Sequence, residues 1–288
     1  MNTRQERSMF KSNSKYKNDF EAFFCKTLGY NIMADNHQYE FVKAIIDPID
    51  KAQVIFSDSI AGSGKSSLAL SAAYYLIKEE MANSIVYVRN TVSVRENGFL
   101  PGTIEEKEMA YMKPAVDIIN RIGARVGNQD LYGDMVMSEQ IQCTSTSFLR
   151  GVDYEGPLVL IIDEAQNLDM IELQTVLTRP HDSVKVIVIG SSLQNDNQKI
   201  RKYGTEKLLP FQVYAKHFME QESVPARSIN LVNNYRGKLS QLADMVEKTT
   251  RRVEQGDSSI YQEDTAFYGP TFSSIQEALH SQKVLERV

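Results

Sequence analysis

The sequence predicts an α/β protein built on a mostly parallel sheet flanked by helices. Between Tyr39 and Ile200, short apolar, β-branched runs alternate with amphipathic stretches. That is the pattern of strands buried on both faces and joined by crossover helices. The chain has 288 residues, 42% of them apolar, with ordinary glycine and proline, enough to bury one large core. No repeat, low-complexity tract or domain-splitting linker interrupts it.

In chain order, residues 1–30 read as a basic N-terminal extension. Arg4, Arg7, Lys11, Lys15 and Lys17 outnumber Glu6 and Asp19 there, as in a nucleic-acid arm or a solvated terminus. The core spans residues 31–254. Its strands are "AQVIFS", "SIVYVR", "EQIQCT", "PLVLIID" and "VKVIVIG", with a sixth, "RSINLV", at 227–232. Residues 91–135 are too long and turn-rich for a simple connection and read as an insertion on the active face. Residues 255–288 form a tail with a short helix. Ser274 stands three residues before Glu277 as in a capping box, and Ile275, Leu279 and Leu285 make an apolar stripe.

Composition excludes several classes. A formal net charge of -5 argues against a broadly cationic nucleic-acid binder, though a local basic groove remains compatible with it. Cys25 and Cys143 are far apart and His37, His181, His217 and His280 are scattered, so neither a disulfide framework nor a zinc site is expected. The N-terminus lacks the apolar stretch of a signal peptide, and no apolar run approaches the roughly 18 residues of a membrane span. A cytoplasmic protein without a membrane partner is expected.

The chemistry begins at "VIFSDSIAGSGKSSLALSAAYYLI". A buried strand runs into Ala61, Gly62, Ser63, Gly64, Lys65, Ser66 and Ser67, then into a helix. This is the context of a P-loop, in which glycines let backbone N–H groups face phosphate oxygens and the helix N-terminus adds its positive dipole end. Lys65 would reach the β- and γ-phosphates and Ser66 would ligate Mg²⁺. Ser59 stands where the pattern G-x-x-x-x-G-K-[ST] begins with glycine, a strain of about 1 kcal/mol if positive φ were required.

The second feature is "PLVLIIDEAQN", an apolar strand ending in Asp163 and Glu164, 98 residues beyond Lys65 (163 minus 65). Adjacent carboxylates at a strand end are costly unless a cation compensates them. Asp163 would hold the Mg²⁺ water shell and Glu164 would orient and deprotonate the attacking water. Gln194, after "VKVIVIG", comes to the same edge, where it would report the γ-phosphate or serve as a plain loop residue. The amide of Gln38 would pair with the edge of adenine.

Together, Gln38, "AGSGKS", "NGFLPG", "FLRG", "LIIDEAQN", "LTRP" and Gln194 resemble the PhoH-like family, P-loop ATPases related to superfamily 1 helicases. The resemblance covers about residues 36–200. It implies a RecA-like P-loop NTPase core that binds ATP and Mg²⁺, a hexameric ring as homo-oligomer, and single-stranded RNA as partner, with DNA as an alternative. It matches Gln38 to the adenine-sensing glutamine, Gly62 to Ser66 to the phosphate loop, Asp163 and Glu164 to the Walker B pair, and Gln194 to the motif III glutamine. The family commonly has glycine at Ser59 and an acidic residue at Ser191. A second RecA-like domain does not fit in this length, so an arginine completing the site would come from a neighbouring subunit. Arg179, Arg236 and Arg150 are the candidates, each equally readable as an ordinary ion pair. Phe99 and Leu100 would stack on bases or anchor a loop.

Three functions compete. An RNA-coupled, helicase- or translocase-like ATPase needs the set Lys65, Asp163 and Glu164. A nucleotide-dependent assembly module with little hydrolysis is favoured by Ser59 and Ser191. A small-molecule kinase leaves "DEAQN" unexplained.

Overall fold

The computed structural model describes residues 19–89, 104–146, 153–194, 197, 199–244 and 246. Six strands form one sheet: β1 (Val54–Asp58), β2 (Ser84–Arg89), β3 (Ile141–Thr144), β4 (Leu158–Asp163), β5 (Val184–Gly190) and β6 (Ala226–Ser228). Their order is β3-β2-β4-β5-β1-β6, and all five neighbouring pairs are parallel. The expected α/β class with a parallel sheet is what the chain forms.

The helices are α1 (Asp19–Ala22, widening into a π turn over Phe23–Leu28), α2 (Asn36–Ile46), α3 (Lys65–Lys78), α4 (Ile104–Val126), α5 (Leu131–Met137), α6 (Met170–Leu177), α7 (Pro210–Met219) and α8 (Lys238–Asp244). The first compact unit ends at Arg236, and a second, beginning at Gly237, contains α8.

Alternation within each strand sends side chains to opposite faces. Ile55, Ile85, Val159, Ile161, Ile187 and Ile189 pack with Phe41, Leu70, Leu76 and Ile119 from α2, α3 and α4. On the other face, Phe56, Val86, Leu160, Ile162, Val186 and Val188 meet Leu173 and Val176 of α6 and Phe211 of α7. With both faces covered, β4 and β5 are buried at every position, which explains why both read as apolar runs, broken in β5 only by Lys185. Truncating a core residue facing the sheet, for example Leu76→Ala in α3, would cost about 2–5 kcal/mol.

Local signals set the helix starts. Asp35 caps α2, its carboxylate accepting from the backbone N–H of His37 and Gln38, and Asp169 with Glu172 forms a capping box at α6. The sixth strand departs from its expected position at 227–232. Beyond Ser228 backbone and side-chain bonds are mixed: Ile229 N donates to the Phe56 carbonyl at 2.9 Å and Ile60 N to the Leu231 carbonyl at 3.3 Å, while Asp58 N donates to Asn230 Oδ1 at 3.0 Å and Leu231 N to Ser59 Oγ at 2.8 Å. The segment expected as an insertion contains α4 and most of α5, which runs on to Met137. Phe99, Leu100, Ser274, Ile275, Glu277, Leu279 and Leu285 lie outside the described residues.

Candidate nucleotide-binding site

β1 ends at Asp58 and α3 begins at Lys65, so the intervening loop sits at the carboxyl edge of the sheet. Gly62 and Gly64 adopt φ of +69° and +88°, conformations that side chains resist. A β-carbon at Gly62 would also lie 2.6 Å from Asn234 Oδ1, so that side chain would have to shift to admit it. Ser59 is not among the described non-glycine residues with positive φ, which are Glu80, Glu139, Glu164 and Lys207. The strain considered for it does not arise.

A cleft of about 980 Å³ opens above this loop, lined by Ala61, Gly62, Gly64, Lys65, Ser66 and Ser67. The N-terminal turn of α3 therefore faces a cavity large enough for a nucleotide, the arrangement that suits phosphate. Ser63 contributes through its backbone. Its hydroxyl is buried without a hydrogen-bond partner, while its carbonyl accepts from Gln38 Nε2 at 2.9 Å. In this conformation Gln38 braces the phosphate loop.

Asp163, Glu164 and Gln194 line the same cleft. Asp163 is buried at the end of β4, in register with Arg89 of β2. Its Oδ2 accepts from the Tyr87 hydroxyl at 2.5 Å and its Oδ1 from Glu164 N at 2.8 Å. Burial, reinforced by the Asp163 charge, holds the Tyr87 phenol well above its ordinary pKa, so it stays a donor. The Ser66 hydroxyl and this oriented carboxylate form a donor set that fits Mg²⁺, an ion that keeps several waters and takes one or two carboxylates alongside substrate phosphates.

Glu164 occupies the left-handed region at φ +55° and ψ +38°, a strain of about 1–2 kcal/mol for a residue with a β-carbon. Strain of this kind persists where neighbours over-determine it. Here Arg89 Nη2 lies 3.4 Å from Glu164 Oε1, and Gln166 Nε2 donates to Oε2 at 2.6 Å. Gln166 is fully buried. It also donates to the Gln194 carbonyl at 3.1 Å and accepts from Ser191 N at 2.9 Å.

A third wall comes from the segment after β6. Tyr235 N donates to the Gly62 carbonyl at 2.9 Å, and the Tyr235 hydroxyl and Asn233 Nδ2 donate to Asp35 Oδ2 at 2.7 and 3.0 Å. Burial raises the pKa of Asp35, but these donors and the capping N–H groups of Gln38 and His37 outweigh it and the net shift is downward. Tyr235 and Arg236 line the cleft. α4 closes the remaining side with Asp117, Asn120 and Arg121.

Of the three candidate arginines, the structure brings Arg236 of the same chain to the phosphate loop. Arg179 follows α6 and pairs through its carbonyl with Tyr154 N, ahead of β4, which places it at the amino edge of the sheet, away from the cleft. Arg150 lies outside the described residues. Sequence reasoning missed Arg89, Tyr235, Asn234 and Gln166 as site residues. For Tyr235 and Asn234 the signal was their place in "NNYR", for Gln166 its place in "DEAQN", and for Arg89 its place at a strand end.

A family model described as "PhoH-like protein" matches residues 33–243. Protein PhoH of Escherichia coli K12 is 32% identical over 168 residues, covering 57% of this chain and 45% of that protein. A PhoH-like protein of Mycobacterium leprae is 30% identical over 155 residues, covering 54% of this chain and 43% of that one. The matched segment thus spans less than half the length of these curated relatives. The crystal structure of Pif1 helicase from Candida albicans aligns with 74% of this chain and 43% of its own at 17% identity and a TM-score of 0.36, too loose a likeness to carry weight. Among the described residues no helix is long and apolar enough to cross a membrane.

Proposed function

Because this chain belongs to the PhoH-like protein family, we propose that its P-loop core binds ATP with Mg²⁺ and hydrolyses it, with turnover coupled to single-stranded RNA. The observation that carries this reading is the convergence of Lys65, Ser66, Asp163 and Glu164 on one cleft. Loop N–H groups and Lys65 hold the β- and γ-phosphates. Ser66 and Asp163 would hold Mg²⁺, which would supply positive charge against the phosphates. Glu164 accepts the proton of the attacking water, and Gln194 lies where it can sense the γ-phosphate. Arg236, on the strap beside Gly62, would stabilise negative charge in the transition state. RNA rather than DNA, and a homo-oligomeric ring, are the finer parts of the proposal. Both rest on the family resemblance.

The Arg89 contact favours a second reading. An ion pair that occupies Glu164 slows proton abstraction, as expected of an assembly module that retains ATP. The test is steady-state phosphate release from ATP and Mg²⁺ with and without single-stranded RNA or DNA. Turnover raised by RNA and abolished in Lys65→Ala supports the coupled ATPase. Stable ATP binding without phosphate release under every condition contradicts it and selects the module.

A further inference from the structure

The departure from the phosphate-loop pattern at Ser59 has a partner. Ser59 is 1% exposed, and its backbone N–H donates to the Gly190 carbonyl at 2.9 Å, so its position is fixed by β5. Its hydroxyl lies 2.6 Å from Ser57 Oγ and accepts from Leu231 N at 2.8 Å. Ile60 N donates back to the Leu231 carbonyl at 3.3 Å. Leu231 is 1% exposed, whereas Val232 and Tyr235 are more than half exposed. Leu231 is therefore the last buried point before an exposed strap.

That strap carries Tyr235 and Arg236 to the cleft, and its far end is tied to Gly62 and Asp35. A glycine at position 59 would offer Leu231 no acceptor, and its buried N–H would be left unpaired, which is disfavoured. We propose that Ser59 is a positioning residue. Its hydroxyl anchors the strap at Leu231 and thereby sets Arg236 over the phosphate loop of its own chain.

The role rests on the ATPase reading for its consequence in turnover, but its structural part is testable without turnover. Amide hydrogen exchange across 229–236 in the full chain gives the first arm. The Leu231 and Tyr235 amides exchange slowly in the wild type, and Ser59→Gly and Ser59→Ala speed both by about five- to tenfold, the equivalent of one lost hydrogen bond. Unchanged protection in both variants overturns the proposal whatever the enzyme does.

The second arm is steady-state kinetics. Both variants lower kcat by about five- to tenfold with little change in the KM for ATP, and lower it no further in an Arg236→Ala background. An equal loss in both backgrounds, or a wild-type kcat, overturns the proposal. Asn233→Ala loosens the other end of the strap at an exposed position and gives the same non-additive kcat loss. If the Ser59 variants do not fold and Asn233→Ala leaves kcat unchanged, the proposal fails. A wild-type protein that never releases phosphate defeats the ATPase reading instead, leaving the exchange result to decide the anchor.

Discussion

Gln166 and Glu164 are joined by a 2.6 Å hydrogen bond from Nε2 to Oε2, and the same fully buried glutamine amide also holds Ser191 N and the Gln194 carbonyl. One side chain thus links the carboxylate at the end of β4 to the segment that follows β5. A γ-phosphate-dependent shift at Gln194 would reach Glu164 through a single residue.

Gln166→Ala should therefore lower kcat by about ten- to a hundredfold, the span of a lost hydrogen bond to a charged group. ATP affinity should change little, because Gln166 does not line the phosphate loop. Equilibrium binding and phosphate release on the same preparation check the split.

Gly62→Ala combines two penalties, φ of +69° and a β-carbon 2.6 Å from Asn234 Oδ1 and 3.0 Å from Arg236 Cγ. Gly156→Ala carries only the first, at φ +83° with nothing within 4 Å, and should cost about 1–2 kcal/mol. Thermal unfolding should show a larger loss for Gly62→Ala, and calorimetry should show weaker ATP binding in that variant alone.

Lys185 is completely buried. Its ammonium donates to the carbonyls of Ala44, Asp47 and Ala52, capping the end of α2. Burial pulls its pKa down to about 7, against the upward pull of Asp47 and Asp50. Folding therefore releases a proton between pH 7 and the ordinary lysine value of 10.5, and stability from this group rises with pH across that window. The stability difference between the wild type and Lys185→Met, read by denaturant unfolding, should move in the wild type's favour from pH 7 to pH 10.

The strands and the phosphate loop were legible because their signals are local. A run such as "VLIID" or "AGSGKS" carries its own period, glycines and helix start. What was not legible depends on pairing between distant segments. Arg89 meets Glu164 across 75 positions because β2 and β4 are neighbours in register, and Leu231 meets Ser59 across 172. Sequence spacing does not encode that register. The same limit explains why "RSINLV" read as a full strand. Its apolar alternation is real, but beyond Ser228 the Asn230 and Ser59 side chains take two of the places in the ladder, and only single backbone bonds at Ile229 and Leu231 remain between them.

In the proposed ATPase, Glu164 performs the chemistry in a cleft that binds nucleotide without it. Phosphate release and ATP binding by Glu164→Gln test this most directly. Glu164→Gln should bind ATP with wild-type affinity and turn it over at least about a hundredfold more slowly. Phosphate release at the wild-type rate would contradict it.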